Sequence, residues 1–379
     1  MNKKPNHELS EMACPHQLAD VDLFALGAQE HWYEAYDILH NEAPVHRIPG
    51  EGFMPGTDAF ILTRYEDISR VVKDEQRYPP ALSLMIRQLS ESPQAAVNMN
   101  TMIQSMVSLR PNPELWRTHR QELTDPWVGP GASRHKSMIV DVAHSLIDQW
   151  VDEEKVDFVS QFAQPLPQMV MAKVLGWPIE DLKLLKHFGD GTVKAFVYGS
   201  GHRCILPTEE VRSQLEVLQE FQAYTNALIA ARRSAPEEDM ITFLTTVEYS
   251  PLNRKLTDAE INGIVYAMVI GGLETTQYAL AEQAQLVIEN HAVWQALKED
   301  KRKVRAFTEE GMRLRAPTQG LSTRTTSQEE VFQGVAVPKG SFLHMRWAAA
   351  NIDPLEWDDP TELKLDRKAG TRHLTFSQG

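Results

Sequence analysis

The feature that most constrains this chain is an apolar helical pattern running from residue 257 to about 291. Apolar residues recur there at three- and four-residue spacing, the signature of a helix with a buried face. Its start reads Thr257-Asp258-Ala259-Glu260, a capping box in which Thr257 caps and Glu260 reaches back. At 1.5 Å per residue such a helix spans about 50 Å, so the pattern predicts a central beam crossing a large body. Yet its middle holds Gly271-Gly272-Leu273-Glu274-Thr275-Thr276. Glycine inside a helix costs roughly 0.8–1.0 kcal/mol relative to alanine, and a buried carboxylate without a partner costs more.

The rest of the chain defines the body around that beam. Helical periodicity covers 138–151, 179–189 and 209–233, while strand-like runs sit near the two ends: VHRI (45–48), AFILTR (59–64), LSTRTT (321–326) and SFLHMRW (341–347). The expected architecture is mainly α in an α+β arrangement, a large helical body with a small β-rich region built from both chain ends. No Ser/Gly-rich linker or repeat divides the 379 residues, which predicts one domain over 1–379.

A formal net charge of −14 argues against nucleic acid and anionic membranes as partners. The longest apolar stretch, residues 261–273, ends at Glu274, short of the ~20 residues of a membrane span. The first residues carry lysines without an apolar run, unlike a signal peptide. With Cys14 and Cys204 as the two cysteines, a disulfide framework is disfavoured and a cysteine-rich metal site is excluded, which points to a cytoplasmic location.

Residues 271–276 suggest their own chemistry. Met268, Gly271, Thr275 and Tyr278 lie three or four apart and share a helix face. The Thr275 hydroxyl can bond the Gly271 carbonyl and open the helix locally. Without Cβ atoms at Gly271 and Gly272, a flat or small object can press against the backbone. Glu274 and the hydroxyls beside that gap can deliver protons to it. The plainer alternative is a close helix crossing with satisfied hydroxyls and a solvated Glu274.

Other segments bear on that choice. Glu310 and Arg313 are three apart in a helix that Pro317 ends, an ordinary surface pair if exposed and a structural clamp if buried. Trp116, Arg117 and Arg120 put an indole N–H and two guanidiniums where an anionic carboxylate could sit. Residues 351–367, rich in Pro and Asp, read as an irregular meander.

Taken in order, these segments resemble the cytochrome P450 haem-thiolate monooxygenases of the soluble bacterial type, over essentially the whole chain. Gly271-Gly272-x-Glu274-Thr275 resembles the family's distal-helix motif, and Glu310-x-x-Arg313 its Glu-x-x-Arg clamp. Trp116-x-x-x-Arg120 resembles the segment that holds a haem propionate, and Asn351-x-Asp353-Pro354, Trp357, Pro360, Leu363 and Arg367 resemble the meander. Phe376-x-x-Gly379 resembles the start of the cysteine-ligand loop.

The resemblance implies insertion of one atom of O2 into an organic substrate by a haem b enzyme, with electrons arriving singly from a ferredoxin and its reductase. It implies that Glu274 and Thr275 deliver protons at the O2 site, that Gly271 leaves room for O2, that Trp116, Arg120 and Arg324 anchor the propionates, and that Phe376 borders the haem. It places substrate contacts in residues 80–110, around 188–208, at Ala267 and Ile270, and in the turn 317–321 with Thr318. The Met, Leu, Ile and Val residues of 80–110 suggest a small apolar substrate. It assigns no iron ligand within these residues: the loop pattern puts the cysteine four positions past Gly379. The expectation is therefore a fragment of a complete enzyme, the alternative being a catalytically silent haem-fold binding protein without the thiolate. A peroxide-using relative is disfavoured by the Glu274–Thr275 pair. Ser377 stands where the family has glycine, Ile352 where arginine is frequent, and Glu362 where a basic residue usually forms the clamp's third arm.

Overall fold

The strand-like runs from the two ends of the chain pair with one another. β1 (Val45–Ile48) lies antiparallel to β2 (Ala59–Leu62), in the register Val45↔Leu62. β2 runs parallel to the strand Phe342–Met345, pairing Ala59 with Phe342, and that strand is flanked on its other side by Thr323–Thr325. Every residue of β2 is buried, as its unbroken apolar sequence requires of a strand covered on both faces. Phe60 and Leu62 enter one core cluster and Ile61 another, following the two-residue alternation of a pleated strand.

The computed structural model describes residues 13–25, 27–81, 83–84, 109, 113–199, 207–320, 323–367 and 372–378. They divide into two compact units, one of residues 1–81 with 296–379 and the other of 82–295. The first unit holds the sheet, α1 (Trp32–Glu42), α2 (Tyr65–Lys73) and the helix Lys303–Leu314. It also holds an antiparallel hairpin of Glu330–Phe332 and Val335–Val337. Gln333 and Gly334 form the hairpin's turn with φ of 47° and 78°, the left-handed pair that a two-residue turn between twisted strands needs.

The second unit is helical. Its principal helices are α3 (Pro113–His119), α4 (Lys136–Ile147), α5 (Pro165–Leu175), α6 (Leu182–Gly199), α7 (Thr208–Ser234) and α8 (Met240–Thr246). Its core gathers Leu175, Trp177, Phe188, Phe221, Leu244, Ile261, Val265, Val269 and Leu273. The expected helices over 138–151, 179–189 and 209–233 are all present, with α6 running farther than its periodicity suggests.

The central beam differs from expectation. It is two helices, α9 (Asp258–Gly272) and α10 (Glu274–Glu289), meeting at Leu273. The start is the predicted capping box: the Glu260 N–H donates to the Thr257 hydroxyl at 3.3 Å, and the Thr257 N–H to the Glu260 carboxylate at 2.7 Å. Arg254 holds the other side of Glu260 through two hydrogen bonds of 2.8 and 2.9 Å. The break has a local cause, since the Thr275 hydroxyl donates to the Gly271 carbonyl at 2.8 Å. That bond competes for a carbonyl of the helical ladder, and Leu273 takes up the distortion at φ −86°, ψ −73°.

Candidate active site

The two glycines at the break do different work. A Cβ on Gly272 would stand 2.9 Å from the Met171 sulfur, so this glycine lets α9 approach α5. Among the described residues, a Cβ on Gly271 would meet nothing within 4 Å. Gly271 thus has no described neighbour on its Cβ side, and the packing reading fits one glycine while the gap reading fits the other. Val265, Val269 and Leu273 point into the core. Ala267, Ile270, Gly271 and Glu274 lie on the opposite side of the helix, with Thr275 at its edge. Met268, expected on the Gly271 face, packs instead against the core cluster, because the apolar side of the helix is wider than a four-residue stripe.

Glu274 is half-buried and accepts a hydrogen bond from the Tyr278 hydroxyl at 2.9 Å. Burial pushes its carboxyl above the usual carboxylate range. The Tyr278 bond opposes that shift, while the neighbouring Asp190 carboxylate of α6 reinforces it. Asp190 in turn pairs with Lys186 one helical turn earlier. Glu274 is therefore one member of an acid–phenol–acid–amine cluster. Motif reading found only the glutamate, because Asp190 and Lys186 arrive from another helix, and their i,i+4 spacing is that of any solvated helical pair.

The other expected anchors are distributed over both units. In the helical unit Arg120 follows α3, with its guanidinium 5.3 Å from the Trp116 ring centroid and its Nε 3.4 Å from Asp125. Its side chain stays 47% exposed, so the fork is held by an aromatic face and one acid with donors to spare. In the sheet-bearing unit Arg324 sits on Thr323–Thr325 opposite Leu343. Burial pushes its pKa down, Glu75 offsetting this only in part, and its Nε is buried with no hydrogen-bond partner among the described residues. A buried donor without an acceptor costs about 1–3 kcal/mol, and no described residue supplies the acceptor for this Nε–H.

The Glu310–Arg313 pair is a buried clamp. The two side chains are 1% and 0% exposed and joined by two hydrogen bonds, Nε–Oε2 at 2.9 Å and Nη2–Oε1 at 2.8 Å. Arg313 also donates to the carbonyls of Asn351 and Pro360 at 2.7 and 2.6 Å, fastening its helix to the meander. The departure at Glu362 leaves the third arm intact, because Arg367 supplies it: its Nε donates to Glu310 Oε1 at 2.9 Å. Glu362 takes part through its backbone carbonyl, which accepts from Arg313 and Arg367, while its own carboxylate is exposed near Lys364. Burial alone would raise the Glu310 pKa, but Arg313, Arg367 and the Lys364 N–H together hold it below the ordinary value.

That clamp carries the end of the described chain. The Asn351 side chain accepts from the Leu374 N–H at 2.6 Å and donates to the Thr375 hydroxyl at 2.9 Å, and Thr375 donates to the Met312 carbonyl. Phe376, next along, is 72% exposed, presenting a ring to whatever lies beside this loop. Ser377 has φ of 63°, the left-handed region that the family's glycine adopts freely. Thr318 is half-buried in the turn after Pro317. Most of 80–110, part of 188–208, Leu321, Cys204 and Gly379 lie outside the described residues.

A cytochrome P450 family profile matches residues 49–379. The polyketide biosynthesis cytochrome P450 PksS of Bacillus subtilis (strain 168) is 24% identical over 361 residues, 94% of this chain and 85% of its own length. Among solved structures, P450BioI in complex with hexadec-9Z-enoic acid ligated acyl carrier protein has a TM-score of 0.76 at 22% identity, covering 92% of this chain and 85% of its own. The myxobacterial CYP267B1 in complex with myristic acid has a TM-score of 0.77 at 25% identity, covering 94% and 85%. Among the described residues no helix is long and apolar enough to cross a membrane. The chain belongs to the cytochrome P450 family, the haem-dependent monooxygenases that activate O2 with electrons from redox partners.

Proposed function

We propose that this monooxygenase oxygenates a small apolar organic substrate, drawing its electrons from a ferredoxin and its reductase, and that residues 1–379 act as one P450 domain. The apolar side chains of 80–110, with Ala267 and Ile270 beside Gly271, support an apolar substrate. So does the company of relatives crystallised with hexadec-9Z-enoic acid on its carrier protein and with myristic acid. Thr318, in the turn after Pro317, is the substrate-contact residue of the sheet-bearing unit in this reading. The ferredoxin rests on the family's need for a one-electron donor.

The residues fit a haem. It is flat, which suits the lack of any described neighbour at the Gly271 Cβ position, and its edge is anionic, which suits the Arg324 Nε, unpartnered among the described residues, and the half-exposed Arg120 guanidinium beside Trp116. When bound through a cysteine thiolate, the haem supplies the centre at which O2 is activated. The exposed ring of Phe376 would flank a bound haem at the start of the ligand loop, and the Glu310–Arg313 clamp holds the segment that leads into that loop.

The chain's own part is proton supply. Glu274 keeps its proton to higher pH than an ordinary carboxylate, and the exposed Asp190–Lys186 pair connects it to solvent. The Thr275 hydroxyl, held on the Gly271 carbonyl, stands one residue from Glu274, where it would hold a proton and hand it on toward O2 once the haem is bound. One atom of O2 enters the substrate and the other leaves as water, which consumes two protons and two electrons. The single observation carrying this reading is the helix opening at Leu273, where hydroxyl, carboxyl and empty space coincide.

Thr275→Ala in the haem-loaded, full-length enzyme tests it. Substrate binding, read from the shift of the haem spectrum, is expected to persist while electrons are diverted to hydrogen peroxide. The quantity to follow is product formed per reductant consumed; unchanged coupling would refute the relay.

A further inference from the structure

A group of side chains away from the haem site has the composition of a metal centre. Cys14 lies in the N-terminal segment, His31 at the end of the short 3-10 helix Ala28–His31, and Glu34 in the first turn of α1. The Cys14 sulfur, a His31 ring nitrogen and a Glu34 carboxylate oxygen all lie within 4.8 Å of one another. Cys14 and His31 are half-buried and Glu34 is exposed. Among the described residues, neither His31 nor Glu34 has a hydrogen bond or ion pair that would engage it otherwise. Among the described residues Cys14 is a free thiol whose one hydrogen-bond contact is weak, 3.8 Å to the Pro15 carbonyl.

The backbone beneath these ligands is fixed from both sides. Leu23, Ala35 and Tyr36 are buried in one cluster, and Leu18, Val21 and Trp32 pack against it. The Trp32 indole donates to the Leu23 carbonyl at 3.1 Å, and Pro15 beside the thiol is buried. The ligand set is thus presented by a braced segment and a helix start, as a preorganised site requires. One thiolate, one imidazole and one carboxylate are a donor set for a borderline divalent ion. Zinc binds such donors at about 2.0–2.3 Å in a tetrahedron. That geometry asks the widest pair to close by about 1 Å, which side-chain rotation supplies.

We propose that Cys14, His31 and Glu34 form a three-ligand site for a zinc-class divalent cation, with a water completing the tetrahedron on the exposed side. Binding replaces the thiol proton, which leaves to solvent, by the metal–sulfur bond. The ion clasps the N-terminal segment onto the start of α1. The two cysteines of the chain exclude a cysteine-rich site, whereas this mixed set needs only one.

The test uses the full-length, haem-loaded protein with Cys204→Ser, stripped of loosely bound ions by a chelator and dialysed against zinc. One zinc per chain is expected, and zinc is expected to slow alkylation of Cys14, because the metal–sulfur bond occupies the thiolate that would attack. Cys14→Ser and His31→Gln should each abolish the bound zinc, and Glu34→Gln should weaken it. The haem spectrum should be unchanged in all three, because none of these residues belongs to the haem site. Alkylation of Cys14 at the same rate with and without zinc would overturn the proposal without any variant at the ligands. Full zinc occupancy in His31→Gln would overturn it equally.

Discussion

Arg367→Ala is the perturbation that best separates this chain's clamp from the family pattern. The substitution removes one charge-assisted hydrogen bond to a carboxylate that is 1% exposed, a bond worth about 1.5–3 kcal/mol. It also removes donations to the carbonyls of Asp358, Asp359 and Glu362, but these lie where water replaces the donor at little cost. Glu310 is not stranded, because Arg313 still holds it through two bonds and the Lys364 N–H through a third. The expected loss is therefore about 2–3 kcal/mol, below the roughly 3–5 kcal/mol of stranding one partner of a buried pair by Glu310→Ala or Arg313→Ala. Glu362→Ala is the control: its carboxylate is exposed and its carbonyl survives, so it should stay within about 0.5 kcal/mol of the parent. Guanidinium unfolding followed by tryptophan fluorescence reads these differences as midpoint shifts at constant slope. The pH dependence has a definite sign. Glu310 is held below its unfolded value, so its contribution is present above the ordinary carboxylate range and is lost as pH falls through the lowered folded value. The gap between parent and Arg367→Ala should persist at neutral pH and shrink in acid. An Arg367→Ala protein as stable as the parent, or a Glu362→Ala protein as weakened as Arg367→Ala, would refute the assignment of the third arm.

Other outcomes follow from the distal helix. Gly271→Ala should raise thermal stability slightly, by up to about 1 kcal/mol, because the added methyl meets no described atom and alanine favours the helix; haem binding or O2 affinity should fall, and an unimpaired enzyme would mean the gap is not used. Glu274 has a folded pKa above its unfolded one, so its contribution favours folding in acid and is lost as pH rises through the folded value. Glu274→Gln should erase that loss from the stability–pH curve and remove one inflection from the pH profile of turnover. An unchanged profile would show that another group supplies the protons.

Much of this molecule is legible in one dimension because it is local. Helix periodicity, the capping box of Thr257 and Glu260, the Thr275-to-Gly271 hydrogen bond and the Glu310–Arg313 pairing all join residues within four positions, where spacing dictates geometry. The paired strands could also be foreseen as strands, though not their partners, since the parallel pairing of Ala59 with Phe342 spans most of the chain. The break at Leu273 was visible as a hydroxyl four residues after a glycine, but its completeness was not.

What only the tertiary structure decided is which groups meet across distance and which remain unmet. Motif reading left Glu362 as a gap in the clamp, whereas folding brings Arg367 to Glu310 and uses only the carbonyl of Glu362. It presented Gly271 and Gly272 as equivalents, whereas one faces open space and the other faces Met171. Asp190 beside Glu274, the donor of Arg324 that no described residue satisfies and the arrival of Cys14 beside the i,i+3 pair of His31 and Glu34 carry no spacing signal. The physical reason is that burial and desolvation are properties of the packed chain. The sequence determines which groups a residue carries and what it can reach within a turn of helix; the packed core determines whether water or another side chain satisfies them.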